Sequence, residues 1–412
     1  MHLAVIADDL TGAMDTGLQF AKRGLQTLVS MSSRRVPDAE VVVVDTDSRD
    51  ARASEARARV VDAARLLAGR RLYKKIDSTC RGNVGYELRA LHDAVQPRAV
   101  VVAPAFPAGG RTTLWGTQRV GGQPLELTFF AHDPRWPMRE SHLPTLLAQQ
   151  AGLEVAQVGL DAVAAGPEAL ATRLRATREP LIVVDALEQE HLATLAAALA
   201  LLGERWLPCG SAGLAEEWVA ALRPAREPID PAPSRDAGAL LAVSASRNDV
   251  SVAQVRVACE ERGLRRIDLD ARGVYEAERE VERLTRVVGA ELDAGRDAVL
   301  TASFTPLIAG GGERVAELLA LVVGRVADRH RPGGLFMTGG DMAVAACRAL
   351  SVAALRIAAE VQPGVPGGQL VGGPMDGAWV VTKAGGFGDP RALVDALDYL
   401  HGRWRLGKPP RH

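Results

Sequence analysis

Short apolar runs recur along the chain. Most are followed by a polar turn and then an amphipathic stretch. Leu3-Ala4-Val5-Ile6-Ala7 is the first of them. A run with no polar alternation predicts a strand covered on both faces. Asp8-Asp9-Leu10-Thr11-Gly12 turns, 13–23 predicts a helix, and Gly24 is placed as its C-cap. The order repeats at Val41-Val42-Val43-Val44, followed by Asp45-Thr46-Asp47-Ser48-Arg49. It repeats again at 72–76, followed by the polar loop 77–83 and a predicted helix over 84–94. Further strands are predicted at 26–31, 99–103, 154–158, 181–185, 239–244, 298–303, 334–338, 355–361 and 379–383. Predicted helices at 54–68, 190–202, 251–262, 277–294, 313–329 and 342–350 fall among them. Strand and helix alternate without a fixed-period repeat. The expected fold is α/β, with mainly parallel sheets flanked by helices.

Two segments interrupt the alternation. Pro224-Ala225-Arg226-Glu227-Pro228-Ile229-Asp230-Pro231-Ala232-Pro233 carries four prolines and reads as a linker. It divides the chain into expected domains 1–223 and 239–412, with 224–238 between them. The segment 106–138 is rich in Gly and Pro and predicts a hairpin on Gly121-Gly122, with arms at 116–120 and 123–126. Arg111 within it either stays on the surface or reaches a substrate or phosphate.

Ligands of open α/β sheets bind beyond the carboxyl ends of the strands. Three predicted strand ends supply Asp8, Asp9, Arg49, Lys75, Asp77, Ser78 and Arg81. They converge only if their strands are parallel neighbours. Arg and Lys then suit a carboxylate or phosphate, and Asp and Ser suit hydroxyls. Taken singly, each could be a helix cap or a loop ion pair. In the second half Thr338-Gly339-Gly340-Asp341, 363–368 and 383–388 are glycine-rich turns after predicted strands. Three of these in one domain point to a polyphosphate cradle. Neither G-x-x-x-x-G-K-[ST] nor a G-x-G-x-x-G after the first strand is present, which argues against a P-loop and against a dehydrogenase.

Composition narrows the partners. A net charge of −1 gives no electrostatic reason to expect nucleic acid or an anionic membrane. No apolar run reaches the roughly 20 residues of a membrane span, and no signal-peptide layout opens the chain. Cys80, Cys209, Cys259 and Cys347 lack paired spacing and read as reduced thiols of a cytoplasmic protein. The His residues show no metal-ligand spacing.

Longer motifs carry a resemblance. Ala7-Asp8-Asp9-Leu10-Thr11-Gly12-Ala13, Lys75-Ile76-Asp77-Ser78-Thr79-Cys80-Arg81-Gly82-Asn83, Ala103-Pro104-Ala105-Phe106-Pro107 and Phe130-Ala131-His132-Asp133-Pro134 with Glu140-Ser141 lie in the first half. Thr338-Gly339-Gly340-Asp341 and Lys383-Ala384-Gly385-Gly386-Phe387-Gly388 lie in the second. Together they resemble the four-carbon acid sugar kinases, which include D-threonate, D-erythronate and 3-oxo-tetronate kinases. The resemblance covers nearly the whole chain. It implies transfer of a phosphoryl group from ATP to the terminal hydroxyl of a small sugar acid. The acid would bind in 1–223 and the nucleotide in 239–412, with the active site in the cleft between the domains.

Carried over residue by residue, the resemblance makes Asp9 and Asp77 catalytic candidates. Asp8, Asp9, Arg49, Lys75, Asp77, Ser78 and Arg81 become acid-binding candidates. Ser244, Thr338, Gly339, Gly340, Asp341, Gly364, Gly385 and Gly386 become nucleotide-binding ones. Mg²⁺ is implied with its ligands unassigned, and a homodimer is compatible with the chain. Val243-Ser244-Ala245-Ser246-Arg247-Asn248 departs from the family, whose first strand of this half usually ends in a Gly-Ser loop. The wording of 383–388 leans toward threonate and erythronate over 3-oxo-tetronate. The alternatives are a 3-oxo-tetronate kinase and a non-catalytic sugar-acid sensor, for which the glycine-rich turns have no use.

Overall fold

The computed structural model describes residues 2–31, 37–133, 135–223, 226, 233, 238–305 and 312–403. The predicted linker lies outside them except at 226, 233 and 238. The chain divides into two compact units, Met1–Pro228 and Ile229–His412.

The first unit contributes β1 (Leu3–Ala7), β2 (Thr27–Ser30), β3 (Val41–Asp45), β4 (Arg71–Lys75) and β5 (Ala99–Ala103). It continues with β6 (Arg111–Leu114), β7 (Thr117–Val120), β8 (Gln123–Pro124), β9 (Val155–Val158), β10 (Leu181–Val184) and β11 (Trp206–Gly210). Eight of these strands run parallel in the order β2-β3-β1-β4-β11-β5-β10-β9. β1 is buried along its whole length, as its unbroken apolar run requires. It lies between β3 and β4, with Ala7 level with Asp45 and Lys75. The three strand ends singled out by sequence are therefore parallel neighbours. The helices Leu10–Ala21 and Ala212–Leu222 pack on each other, and so do Ala53–Leu66 and Val84–Val95. Trp218 is fully buried, with the Phe20 ring edge-on at 6.2 Å and the Tyr73 ring at 5.5 Å.

The segment after β5 builds a small antiparallel sheet, β6-β7-β8. Its second turn is Gly121-Gly122, with both residues at positive φ. The sheet is tied down at Asp185, whose carboxylate accepts the Trp115 and Gly116 amides at 2.7 and 2.8 Å.

The second unit contributes β12 (Leu240–Ser244), β13 (Arg265–Asp268), β14 (Ala298–Thr301), β15 (Gly334–Thr338), β16 (Ala354–Gln362), β17 (Val365–Val371) and β18 (Trp379–Lys383). Their order is β13-β14-β12-β15-β18-β17-β16. The first five are parallel, while β17 runs antiparallel to both β16 and β18.

Besides β6, which the expected hairpin lacked, three strands depart from the sequence expectation. β11 carries Pro208, which ordinarily argues against a central strand. Its pairing with β4 begins only at Cys209, so the missing amide interrupts no bond on that side. β13 reads Arg-Arg-Ile-Asp and is half exposed, as a charged edge strand can be. The expected glycine-rich loop 363–368 is instead a hairpin. Pro363-Gly364 turns, and Val365 to Gly368 open β17. Gly368 is required there, because a Cβ would lie 2.0 Å from the Arg356 carbonyl oxygen.

Candidate active site

At the carboxyl ends of β1, β3 and β4 the side chains form one charged cluster. Arg49 spans both acids of the first turn. Its Nε donates to Asp8 Oδ2 at 2.8 Å, and its Nη1 and Nη2 donate to Asp9 Oδ2 and Oδ1 at 2.9 and 2.7 Å. Asp9 also caps the helix Leu10–Ala21 by accepting the Gly12 amide at 3.0 Å. The capping role and the site role thus belong to the same carboxylate. The expected carboxylate-binding arginine is already engaged, and its role in this form is to hold the two acids.

Asp77 is engaged as well. It accepts Arg81 Nε and Nη2 at 2.8 and 3.1 Å, together with the Thr79 hydroxyl and amide. Burial alone would raise its carboxyl, but Arg49, Arg81 and these donors hold it far below the usual range. Asp77 is therefore a fixed anion and a poor proton acceptor. Asp9 differs. Burial raises it, and the nearby Asp8 and Asp77 charges add to that against Arg49 and Lys75. Asp8 goes the other way, because Arg49, Lys75 and Lys74 outweigh its burial.

Lys75 is the cation left over. It is 5% exposed, and its ammonium has no ion pair or hydrogen bond among the described residues. It lies over Gly12, where a Cβ would sit 2.3 Å from Nζ and 2.6 Å from Asp9 Oδ1. Gly12 is what lets the ammonium and the acid approach. The Ser78 hydroxyl has no hydrogen bond among the described residues, while its carbonyl accepts Gln118 Nε2 at 2.6 Å. That bond brings the small sheet to the site. Arg111 at its start is half buried and near enough to Asp77 and Arg81 to feel both charges. Asp133 meets Arg81 Nη1 at 3.1 Å, and Phe130 stacks on the Arg81 guanidinium at 5.2 Å.

A layer beneath the cluster escaped the sequence reading. Lys74 and Glu87 form an ion pair at 2.7 Å with 0% and 1% exposure. Burial pulls the Lys74 ammonium down, but Glu87 and Asp8 more than restore it, so it stays charged. Glu87 Oε1 accepts the Ser48 hydroxyl at 2.7 Å. Asn83 Nδ2 donates to the carbonyls of Ser48, Arg49 and Ala51 at 2.9, 3.2 and 2.8 Å. Together they fix the backbone that carries Arg49. The signal was present: a charge on the inward side of an apolar strand must find a partner.

In the second unit Ser244, Thr338 and Lys383 end β12, β15 and β18 in register. The Ser244 hydroxyl is buried and bonded to Ser303 Oγ at 2.9 Å, so the hydroxyl that meets Gly385 is that of Ser246. Gly339 is the N-cap of the helix Gly340–Ala349 and offers no side-chain cap, while Asp341 lies in its first turn. Gly364 packs against the Phe387 ring and so joins the hairpin turn to the 383–388 loop. Gly386 is exposed.

With this geometry established, similarity to known proteins identifies the family. Residues 3–218 match a model described as a sugar-binding N-terminal domain, and 241–393 match a nucleotide-binding C-terminal domain. A D-threonate kinase of Salmonella typhimurium is 36% identical over 97% of this chain and 98% of its own length. The chain belongs to the four-carbon acid sugar kinase family. Other members include a D-erythronate kinase of Heliobacterium modesticaldum at 30% identity, covering 97% of each chain. A 3-oxo-tetronate kinase of Pseudomonas fluorescens is 32% identical with the same coverage. The family fold is also that of a Haemophilus influenzae crystal structure, with a TM-score of 0.78 at 23% identity over 97% of this chain and all of that one.

Proposed function

We propose that the chain is an ATP-dependent kinase acting on the terminal hydroxyl of a four-carbon sugar acid, with D-threonate or D-erythronate as substrate. The observation that carries the reading is the buried Lys75 ammonium, which makes no direct ion pair or hydrogen bond among the described residues and lies beside a ring of carboxylates. A sugar acid supplies both what the ammonium lacks and what the ring can bond. Its carboxylate would pair with Lys75, with Arg111 close by. Its hydroxyls would bond Asp8, Asp9, Asp77 and the Ser78 hydroxyl, while Arg49 and Arg81 keep those acids in place. Asp9, whose carboxyl is raised, is the base in this reading. Asp77 is too strongly held to accept a proton.

Phosphoryl transfer depends on positioning and charge neutralisation. The turns at Gly339-Gly340 and Gly385-Gly386, with Ser246, Thr338 and Gly364 beside them, would take the ATP phosphates. Mg²⁺ would supply charge neutralisation on those phosphates. Asp341 is the carboxylate this turn offers. The acceptor hydroxyl and the γ-phosphorus must come within ~3–3.5 Å, so the acid and nucleotide sites must meet during turnover.

An ADP-release assay over D-threonate, D-erythronate and 3-oxo-tetronate tests the reading. Turnover of one of the first two is expected. Turnover of 3-oxo-tetronate alone would reassign the substrate. Acid binding without ADP release would leave a sugar-acid sensor.

A further inference from the structure

Lys383 is 3% exposed at the end of β18. Its ammonium donates to Ser251 Oγ at 3.1 Å, Thr338 Oγ1 at 3.1 Å and the Gly385 carbonyl at 3.2 Å. All three acceptors are neutral. Ser251 faces it from the helix Asp249–Arg262, Thr338 from β15, and Gly385 from the loop beyond β18. No carboxylate, imidazole or second cation among the described residues pairs with it. Buried charges are ordinarily paired, and a buried cation with only dipoles around it is incompletely compensated. This one stands where the ends of three parallel strands line up, beside a helix N-terminus that lacks a side-chain cap.

We infer that Lys383 is a phosphate-binding residue, whose ammonium exchanges one of its neutral acceptors for a phosphate oxygen of a nucleoside polyphosphate. The inference rests on reading the second unit as the nucleotide site. It adds a cation to a set that was otherwise glycines, hydroxyls and one acid.

The arrangement has a measurable signature. Burial alone lowers Lys383 to about 8 in the free protein. An anion bound beside the ammonium favours its charged form. Above pH ~8, nucleotide binding must therefore draw a proton from solution. Binding must also weaken as pH rises through that value.

ADP binding by the full chain is measured calorimetrically at about pH 8.5, where the nucleotide's own phosphates are already ionised. Buffers of different protonation enthalpy report the protons exchanged. The unmodified chain is expected to take up a fraction of a proton. Lys383→Met is expected to lose that uptake and to bind ADP roughly 10- to 100-fold more weakly, the scale of a hydrogen bond to a charged group. Its affinity for the sugar acid should be retained, which shows that the chain is folded. If the variant loses acid binding too, proton uptake by the unmodified chain decides alone. ADP binding with no proton uptake overturns the inference but leaves the kinase reading standing. Unchanged uptake and affinity in the variant do the same. No ADP binding by the unmodified chain overturns both.

Discussion

Lys75 and Asp45 carry the sharpest consequences at the scale of single residues. Removing the Lys75 ammonium should weaken sugar-acid binding by roughly 1.5–3 kcal/mol, the scale of a hydrogen bond to a charged group. Calorimetry of Lys75→Met with D-threonate checks this, and unchanged affinity would take Lys75 out of the site. Asp45 ends β3 next to the cluster. Burial pushes its carboxyl up to about 8, with Asp9, Asp47 and Asp8 adding to the shift against a bond from the Asp47 amide. In the unfolded chain it would titrate at the ordinary 3.8. Between those values the folded chain holds a proton that the unfolded chain has released, so this group's contribution makes stability fall as pH rises through the window. Asp45→Asn should flatten that part of the melting temperature–pH profile, and superimposable profiles would refute the assignment. The rule of strand ends found Asp8, Asp9, Arg49, Lys75, Asp77 and Arg81. It could not show that Arg49 and Asp77 are spent on internal partners, because pairing is decided by neighbours distant in sequence.

Among elements, β4 and the helix Val84–Val95 are locked together by Lys74 and Glu87. Removing one member of such a pair strands the other as a buried charge. Glu87→Ala should therefore destabilise the first unit by about 3–5 kcal/mol. Lys74→Met combined with Glu87→Leu should recover most of the loss. Urea denaturation measures both, and a double variant no better than the single would mean that the loss came from packing. Strands made of unbroken apolar runs were legible in the sequence, and β1, β5, β15 and β18 fall at or near their expected bounds. β11 and β17 were not, since Pro208, Gly367 and Gly368 carry the local marks of loops. Only their neighbours make them strands: β5 beside Pro208, and Arg356 crowding Gly368.

For the molecule as a whole, the proposed transfer requires an acid held by one unit and a nucleotide held by the other to act on one pair of atoms. The chain with D-threonate and a non-hydrolysable ATP analogue should therefore have a smaller radius of gyration than the free chain. Solution scattering checks this, and equal radii would mean that the sites are already apposed.

The placement of β11 bears on how the protein is made. β11 is the last strand of its unit to leave the ribosome, yet it sits between β4 and β5. Until residue 210 has been synthesised, the sheet can exist only as two halves, β2-β3-β1-β4 and β5-β10-β9. Each half exposes an unpaired strand edge where β11 belongs, and that of β5 is wholly apolar. The charged cluster around Arg49 sits on the first half, so its residues are synthesised long before the sheet beneath them can close. Nascent chains stalled before β11 should be protease-sensitive and dependent on chaperones, and protection should appear only once β11 has emerged.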